Sequence, residues 1–113
     1  MLSFSTTQRY FVYNPVCDMR MGFDTLAGLV NSHMQQNALS GDCFVFFNKR
    51  RTHIKLLWWD QDGFSLYTKR LERGVFENFS PEKNTLTAAE LLCLIRGISL
   101  RDIVQRKRYK HLV

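Results

Sequence analysis

The sequence predicts an α+β domain with a single antiparallel sheet of four to five strands and two main helices packed on it. Three runs rich in aromatic and branched residues cover residues 44–48, 52–59 and 64–71, and turn-forming residues separate them. These runs are typical of a three-stranded antiparallel meander. A stretch with helical spacing of apolar residues lies on either side of it, so the predicted order of elements is β-α-β-β-β-β-α.

The first strand and the first helix precede the meander. Residues 9–13 alternate weakly and end just before a proline, which predicts a short strand at an edge of the sheet. Apolar residues at 19–34 then recur at spacings of three or four, which predicts a helix that ends near residues 36–37. Gly22 lies inside this pattern and favours a helix start after it, because glycine weakens a helix interior.

The second helix carries a signature at each end. Thr87 followed by Glu90 is a capping box, residues 88–95 are strongly helical, and Gly97 is suited to a C-terminal cap. Between the meander and this helix, residues 75–79 predict a further short strand. These two elements complete the predicted fold.

Both faces of the meander are apolar near its second turn. With either two or four loop residues in that turn, one face carries Leu57, Trp59, Phe64 and Leu66, and the other carries Ile54, Leu56, Trp58 and Tyr67. Apolar residues on both sides indicate a sheet that is covered on both faces at that end. Helices or a second chain would provide the cover.

Length and composition indicate one globular domain. The chain has 113 residues, of which 45% are hydrophobic and 23% are charged, as expected for a single domain spanning residues 1–113 with flexible ends at 1–8 and 105–113. Its formal net charge of +6 favours a polyanionic partner, of which nucleic acid is the commonest. No signal peptide opens the sequence and no apolar run approaches the roughly 18 residues of a membrane span. We therefore expect a cytoplasmic protein without membrane contact.

The cysteine and histidine spacing indicates no metal site. Cys17, Cys43 and Cys93 form no C-x-x-C pair, and the histidines lie apart from them. Reduced, buried thiols are the simplest interpretation. We expect neither a metal nor another cofactor.

The meander predicts a basic rim at one end of the sheet. Its first turn and the end of its third strand should meet at the same end, and we use "basic rim" for the cations that would gather there, Lys49, Arg50, Arg51, Lys69, Arg70 and Arg73. Lysine and arginine neutralise phosphates and release condensed counterions. The rim therefore predicts contact with nucleic acid, whereas the alternative is a solvated sheet end whose cations protect the edge. The full set of candidate nucleic-acid-binding residues adds His53, Lys55 and the basic C-terminal residues Arg106, Lys107, Arg108 and Lys110.

Carboxylates give weak support for an enzyme. Asp18, Asp24, Asp60 and Asp62 are the candidates for metal-dependent DNA cleavage. Each has a simpler interpretation as a helix cap, a first-turn helix acid or a turn former. We therefore expect no catalytic residues, and a nuclease or strand-processing enzyme is the least favoured of the alternatives.

Several motifs together resemble one known family. In chain order they are Asp18-Met19-Arg20, Gly22-Phe23-Asp24, Leu26-Ala27, Phe44-Val45-Phe46, Ile54-Lys55, Leu57, Trp59-Asp60, Gly63 and Lys69-Arg70-Leu71-Glu72-Arg73-Gly74. Over about residues 10 to 98 they resemble the small accessory protein of insertion sequences of the IS66 type, often labelled TnpB or the second open-reading-frame product. The chain departs from the family pattern at Met21, where lysine is usual, at Gln61, where glycine is common, and after Phe76, where Trp-Pro is usual.

The resemblance implies an accessory protein that acts with a separate, larger transposase of the same element. The family-motif residues that it singles out are Asp18, Arg20, Gly22, Trp59, Asp60, Gly63, Glu72 and Gly74. The implied partners are that transposase and the DNA of the insertion-sequence ends, and a homo-oligomer is a further candidate. With the basic rim, this predicts a transposition accessory factor that binds DNA. A protein-only adaptor that bridges transposase partners is the alternative.

Overall fold

The computed structural model describes residues 5–78 and 82–97, which form one five-stranded sheet with a helix on each face. The strands are β1 (Tyr10–Val12), β2 (Cys43–Phe47), β3 (His53–Asp60), β4 (Gly63–Arg70) and β5 (Thr85–Leu86), and the helices are α1 (Phe23–Ser32) and α2 (Ala88–Ile95). The α+β class and the predicted order of elements are confirmed. The three strands of the meander lie within one residue of their predicted bounds.

The sheet is mixed, so the expectation of a purely antiparallel sheet is wrong in one respect. The strand order is β4-β3-β2-β1-β5, and β1 runs parallel to β2 whereas the other neighbours are antiparallel. Parallel neighbours need a crossover connection, and α1 provides it. β1 is also an interior strand rather than an edge, because β5 pairs with its other side and Pro15 lies beyond the paired residues.

The fifth strand lies at Thr85–Leu86 instead of residues 75–79. The described part of the predicted strand, residues 75–78, has no regular secondary structure. Gly74 turns the chain with a φ of 73°, and the Phe76 N–H donates to the Arg51 carbonyl at 2.7 Å. The segment therefore crosses the end of the sheet and does not pair with β4.

Each face of the sheet has its own apolar core. The core on the α2 face contains Tyr10, Val12, Val45, Phe47, Ile54, Leu56, Phe76, Leu91 and Leu94, and the core on the α1 face contains Cys17, Leu26, Val30, Phe44, Phe46 and Leu57. The alternation along β3 follows from the two-residue period of a strand. A helix thus packs on each face of the sheet, whereas the sequence predicted cover specifically at the second-turn end. At the second-turn end the cover is partial, since Trp58, Trp59 and Phe64 remain half-exposed.

The helix ends follow local signals. α1 begins at Phe23, after Gly22, as predicted, but it ends at Ser32 because Gln35 takes a φ of 54° that an α-helix cannot continue through. The capping box of α2 is complete: the Glu90 N–H donates to Thr87 Oγ1 at 3.1 Å, and the Thr87 N–H donates to Glu90 Oε1 at 3.0 Å.

Candidate nucleic-acid interface

The β2–β3 turn and the end of β4 lie at the same end of the sheet, as the meander predicted. His53 is the register partner of Arg70, and the Leu71 N–H donates to the Thr52 carbonyl at 2.8 Å. The opposite end of the same two strands carries the partners Asp60 and Gly63. The turn that holds Lys49 and Arg50 therefore adjoins the segment that follows Arg70.

Asn48 organises the turn between β2 and β3. Its Oδ1 accepts hydrogen bonds from the N–H groups of Thr52 and His53, each at 3.0 Å, and its Nδ2 lies 3.0 Å from Thr52 Oγ1. Thr52 Oγ1 also lies 2.9 Å from His53 Nδ1, so His53 is tied into this network. The network fixes the backbone that presents Lys49 and Arg50 to solvent. The sequence predicted residue 48 as the end of the first strand run and gave Asn48 no further role, although asparagine commonly bonds nearby backbone in turns.

Arg51 is a structural residue rather than an exposed cation of the rim. Its guanidinium lies over the Phe47 ring, 4.0 Å from the centroid, and donates from Nε to the Phe76 carbonyl at 3.1 Å and from Nη2 to the Glu77 carbonyl. Burial lowers the pKa of Arg51 from its ordinary value. The side chain ties the segment after β4 to the sheet.

Two further cations of the predicted set bond backbone carbonyls. Lys55 is 8% exposed, and its Nζ donates to the Met21 carbonyl at 2.8 Å on the α1 side of the sheet. Lys69 is half-buried, and its Nζ donates to the Ile95 carbonyl at 2.7 Å. Ile95 is the last residue of α2, where a cation also interacts favourably with the helix dipole. Both lysines hold a helix or a turn against the sheet.

Of the predicted rim, the cations that remain exposed are Lys49, Arg50, Arg70 and Arg73, and we call these four the exposed basic rim. Arg70 Nη2 lies 2.9 Å from Glu72 Oε1 in an ion pair open to solvent. The basic residues Arg106, Lys107, Arg108 and Lys110 lie outside the described residues.

The turn that contains Asp18 and Arg20 joins the same end of the sheet. The Cys17 N–H donates to the carbonyl of Phe47, the last residue of β2, at 2.9 Å. Asp18 Oδ2 lies 2.6 Å from Arg20 Nη2, and Asp18 Oδ1 accepts the Arg20 N–H at 2.8 Å. These hydrogen bonds from Arg20 lower the pKa of Asp18 to about 2. The sequence identified Arg20 through the family motif alone, because its position depends on the parallel pairing of β1 and β2.

The other family-motif residues occupy turns and caps. Gly22 precedes α1, and its carbonyl accepts a hydrogen bond from the first turn of the helix at 3.0 Å. Trp59, Asp60 and Gly63 lie at the β3–β4 turn. Gly74, with its φ of 73°, adopts a backbone conformation that favours glycine. Among these residues, backbone conformation accounts for the residue type at Gly74.

Side chains that could ligate a metal are dispersed across residues 5–78 and 82–97. In that part of the chain, no three His, Cys, Asp or Glu side chains are grouped so that they could hold a metal ion. Of the candidate carboxylates, Asp18 is paired with Arg20. Burial raises the pKa of the Cys43 thiol to about 12, and burial also raises the pKa of Cys17.

The two helices of the described residues are short. Neither is long and apolar enough to cross a lipid bilayer.

Comparison with known proteins identifies the family of the chain. The family described as IS66 Orf2 like protein matches residues 8–105. The uncharacterized protein y4hO of Sinorhizobium fredii (strain NBRC 101917 / NGR234) is 36% identical over 103 residues, which are 89% of this chain and 90% of that protein. The uncharacterized protein y4jC of the same strain is 34% identical over 105 residues, which are 90% of this chain and 88% of that protein. No solved structure matches.

The family match agrees with the resemblance that the motifs indicated. It supports a role as an accessory protein in transposition, associated with the transposase of the same element, rather than as a known enzyme. The chain belongs to the IS66 Orf2-like family.

Proposed function

We propose that this protein serves transposition by binding DNA through the exposed basic rim. The observation that carries the proposal is the register of β3 and β4, in which His53 opposes Arg70. That register brings the turn with Lys49 and Arg50 to the sheet end where Arg70 and Arg73 lie. Exposed cations from two separate segments thus share one sheet end, and phosphate groups are the natural partners of such a surface.

The cations available to phosphate differ from the cations that hold the fold. Arg51, Lys55 and Lys69 donate to backbone carbonyls of the protein itself. We therefore do not expect these three side chains to bind DNA phosphates. Arg70 is paired with Glu72 at the surface, where exposed ion pairs are weak. A DNA phosphate could replace that carboxylate as the partner of Arg70. DNA binding is therefore expected mainly from Lys49, Arg50 and Arg73, with Arg70 in addition.

The test is the salt dependence of DNA binding by the full chain. Wild-type protein and Arg50→Gln are titrated with duplexes of the insertion-sequence end and of unrelated sequence, across a range of salt concentrations. Removing one bond to a phosphate should reduce the slope of log affinity against log salt by roughly 0.9. If Arg50 binds phosphate, Arg50→Gln flattens the slope equally for both duplexes.

Arg9→Gln is the matched control, because it removes the same charge at the other end of the sheet. Arg9 lies beside the start of β2, where its carbonyl accepts the Cys43 N–H at 2.9 Å. Its partner Asp42 keeps bonds to the Arg9 N–H and to the Ser40 hydroxyl in this variant. The control should bind DNA with the wild-type slope. If both variants flattened the salt slope equally, DNA binding would depend on net charge alone, and this would contradict DNA binding at the exposed basic rim.

The protein-only adaptor remains the competing function, and the same approach distinguishes it. The transposase of the element is added to binding assays with wild type and with the triple variant K49Q/R50Q/R73Q. Loss of DNA binding with retained transposase binding supports the proposal. Loss of transposase binding with unchanged DNA binding would favour the adaptor.

A further inference from the structure

We infer that β4 is a self-association edge, and that two copies of this chain pair their β4 strands antiparallel about a two-fold axis at Tyr67. Within the described residues, β4 is the last strand on its side of the sheet. Its eight residues oppose eight consecutive residues of β3 without a bulge. This edge can therefore pair along its whole length with another uninterrupted strand of about eight residues, and β4 of a second copy is such a strand.

The hydrogen-bond pattern shows which backbone groups face outward. In an antiparallel ladder, alternate residues direct both their N–H and their C=O to the same neighbour. The Leu71 N–H donates to the Thr52 carbonyl, so the odd-numbered residues of β4 bond β3. The even-numbered residues then point their backbone groups away from the sheet, and these are Phe64, Leu66, Thr68 and Arg70.

The edge lacks the features that usually prevent pairing. Proteins commonly protect a long edge with prolines, bulges or charged side chains along the strand. Residues 63–68 contain no proline and no charge, and the cations Lys69 and Arg70 lie only at its end. Residues Gly63 to Tyr67 are all half-exposed. An added strand would cover Phe64 and Leu66 on one face and Tyr67 on the other.

Charge favours an antiparallel second copy over a parallel one. The turn at one end of β4 carries Asp60 and Asp62, whereas the other end carries Arg70 and Arg73 with Glu72. Antiparallel pairing about Tyr67 places Leu66 opposite Thr68 of the second copy. It places Phe64 opposite Arg70 of the second copy, and it brings the acidic turn near the basic rim. Parallel pairing would instead set like charges side by side at both ends.

The first test is sedimentation of the full chain over a range of concentrations. The wild type should form a dimer that dissociates on dilution. Thr68→Pro removes an outward N–H without touching the β3–β4 ladder, and edge strands tolerate proline at such positions. Because each copy loses a hydrogen bond, the dimer dissociation constant should rise at least about tenfold. Thr68→Val keeps the N–H and the shape, so it should dimerise like the wild type.

A second test examines the register without relying on proline. In a background with Cys93→Ser, which removes the half-exposed thiol, Tyr67→Cys should form an intermolecular disulfide under a mild oxidant. Ser65→Cys should not, because residues 65 of the two copies would be about 13 Å apart, beyond the reach of a disulfide.

Three outcomes would overturn the inference. They are a wild type that is monomeric at every concentration, a folded Thr68→Pro variant that dimerises like Thr68→Val, or cross-linking of Ser65→Cys in preference to Tyr67→Cys.

Discussion

The guanidinium of Arg51 lies 4.0 Å from the centroid of the Phe47 ring, at the edge of the core that faces α2. Arg51 has a φ of 56°, which turns its backbone at the end of the β2–β3 loop. Its side chain then reaches the carbonyls of Phe76 and Glu77. One residue of the predicted basic rim therefore fastens the chain after β4 to the end of the sheet.

We predict that Arg51→Gln destabilises the protein. Losing charge-assisted hydrogen bonds to Phe76 and Glu77 should lower the free energy of unfolding by about 2 kcal/mol. Arg50→Gln is the control. Because Arg50 is exposed, this substitution should change the free energy of unfolding by no more than about 0.5 kcal/mol. Urea denaturation of both variants measures the difference. Equal stabilities would mean that the hydrogen bonds of Arg51 contribute nothing beyond those of a surface residue.

We predict that Lys55→Met lowers stability without affecting DNA binding, and that Lys49→Met weakens DNA binding without affecting stability. Lys55→Met leaves the Met21 carbonyl without its donor, so unfolding should become easier by about 1–3 kcal/mol while the salt slope of DNA binding stays unchanged. Lys49→Met should preserve stability and flatten that slope. Thermal denaturation and DNA titration of the two variants measure both quantities. A flattened slope for folded Lys55→Met would place the buried lysine in the interface and contradict this assignment.

We predict that Gln61→Gly stabilises the β3–β4 turn. Gln61 has a φ of 58°, a left-handed conformation that costs most residues energy but suits glycine, which the resemblance leads one to expect there. The gain should reach up to about 1 kcal/mol, after the entropy that glycine loses on folding. Asp62→Gly is the control, because Asp62 has no positive φ, and it should destabilise. If the denaturation midpoint fell for Gln61→Gly as well as for Asp62→Gly, the idea that the left-handed backbone at Gln61 is strained would be refuted.

We predict an acid-dependent contribution from the capping box of α2. Burial raises the pKa of Glu90, but the Thr87 N–H and the Lys83 ammonium more than offset it, so the net pKa lies below the ordinary 4.5. A carboxyl group whose pKa is lower in the folded state stabilises the fold at pH values above 4.5. This contribution is lost as the pH falls through the pKa of the folded state. Wild type should therefore exceed Glu90→Gln in melting temperature at neutral pH, and the gap should close below pH 4.5. A gap that is independent of pH would exclude ionisation as its cause.

Local sequence signals determined much of this fold. The aromatic and branched runs defined β2, β3 and β4 to within one residue, because strand propensity and turn residues act over short distances. Thr87 and Glu90 fixed the start of α2 for the same reason. The meander also predicted that the β2–β3 turn and the end of β4 share one end of the sheet, and the spaced motifs from Asp18 to Gly74 were enough to indicate the family.

Tertiary structure decided which cations face solvent and how the sheet is ordered. The sequence indicated Arg51, Lys55 and Lys69 as candidate DNA-binding cations, yet each bonds a carbonyl from a distant segment, at Phe76, Met21 and Ile95. Likewise, β1 lies parallel to β2, and β5 forms at Thr85–Leu86 because β1 leaves one side open to it. Such pairings depend on residues far apart in the chain, and local propensity carries no information about them.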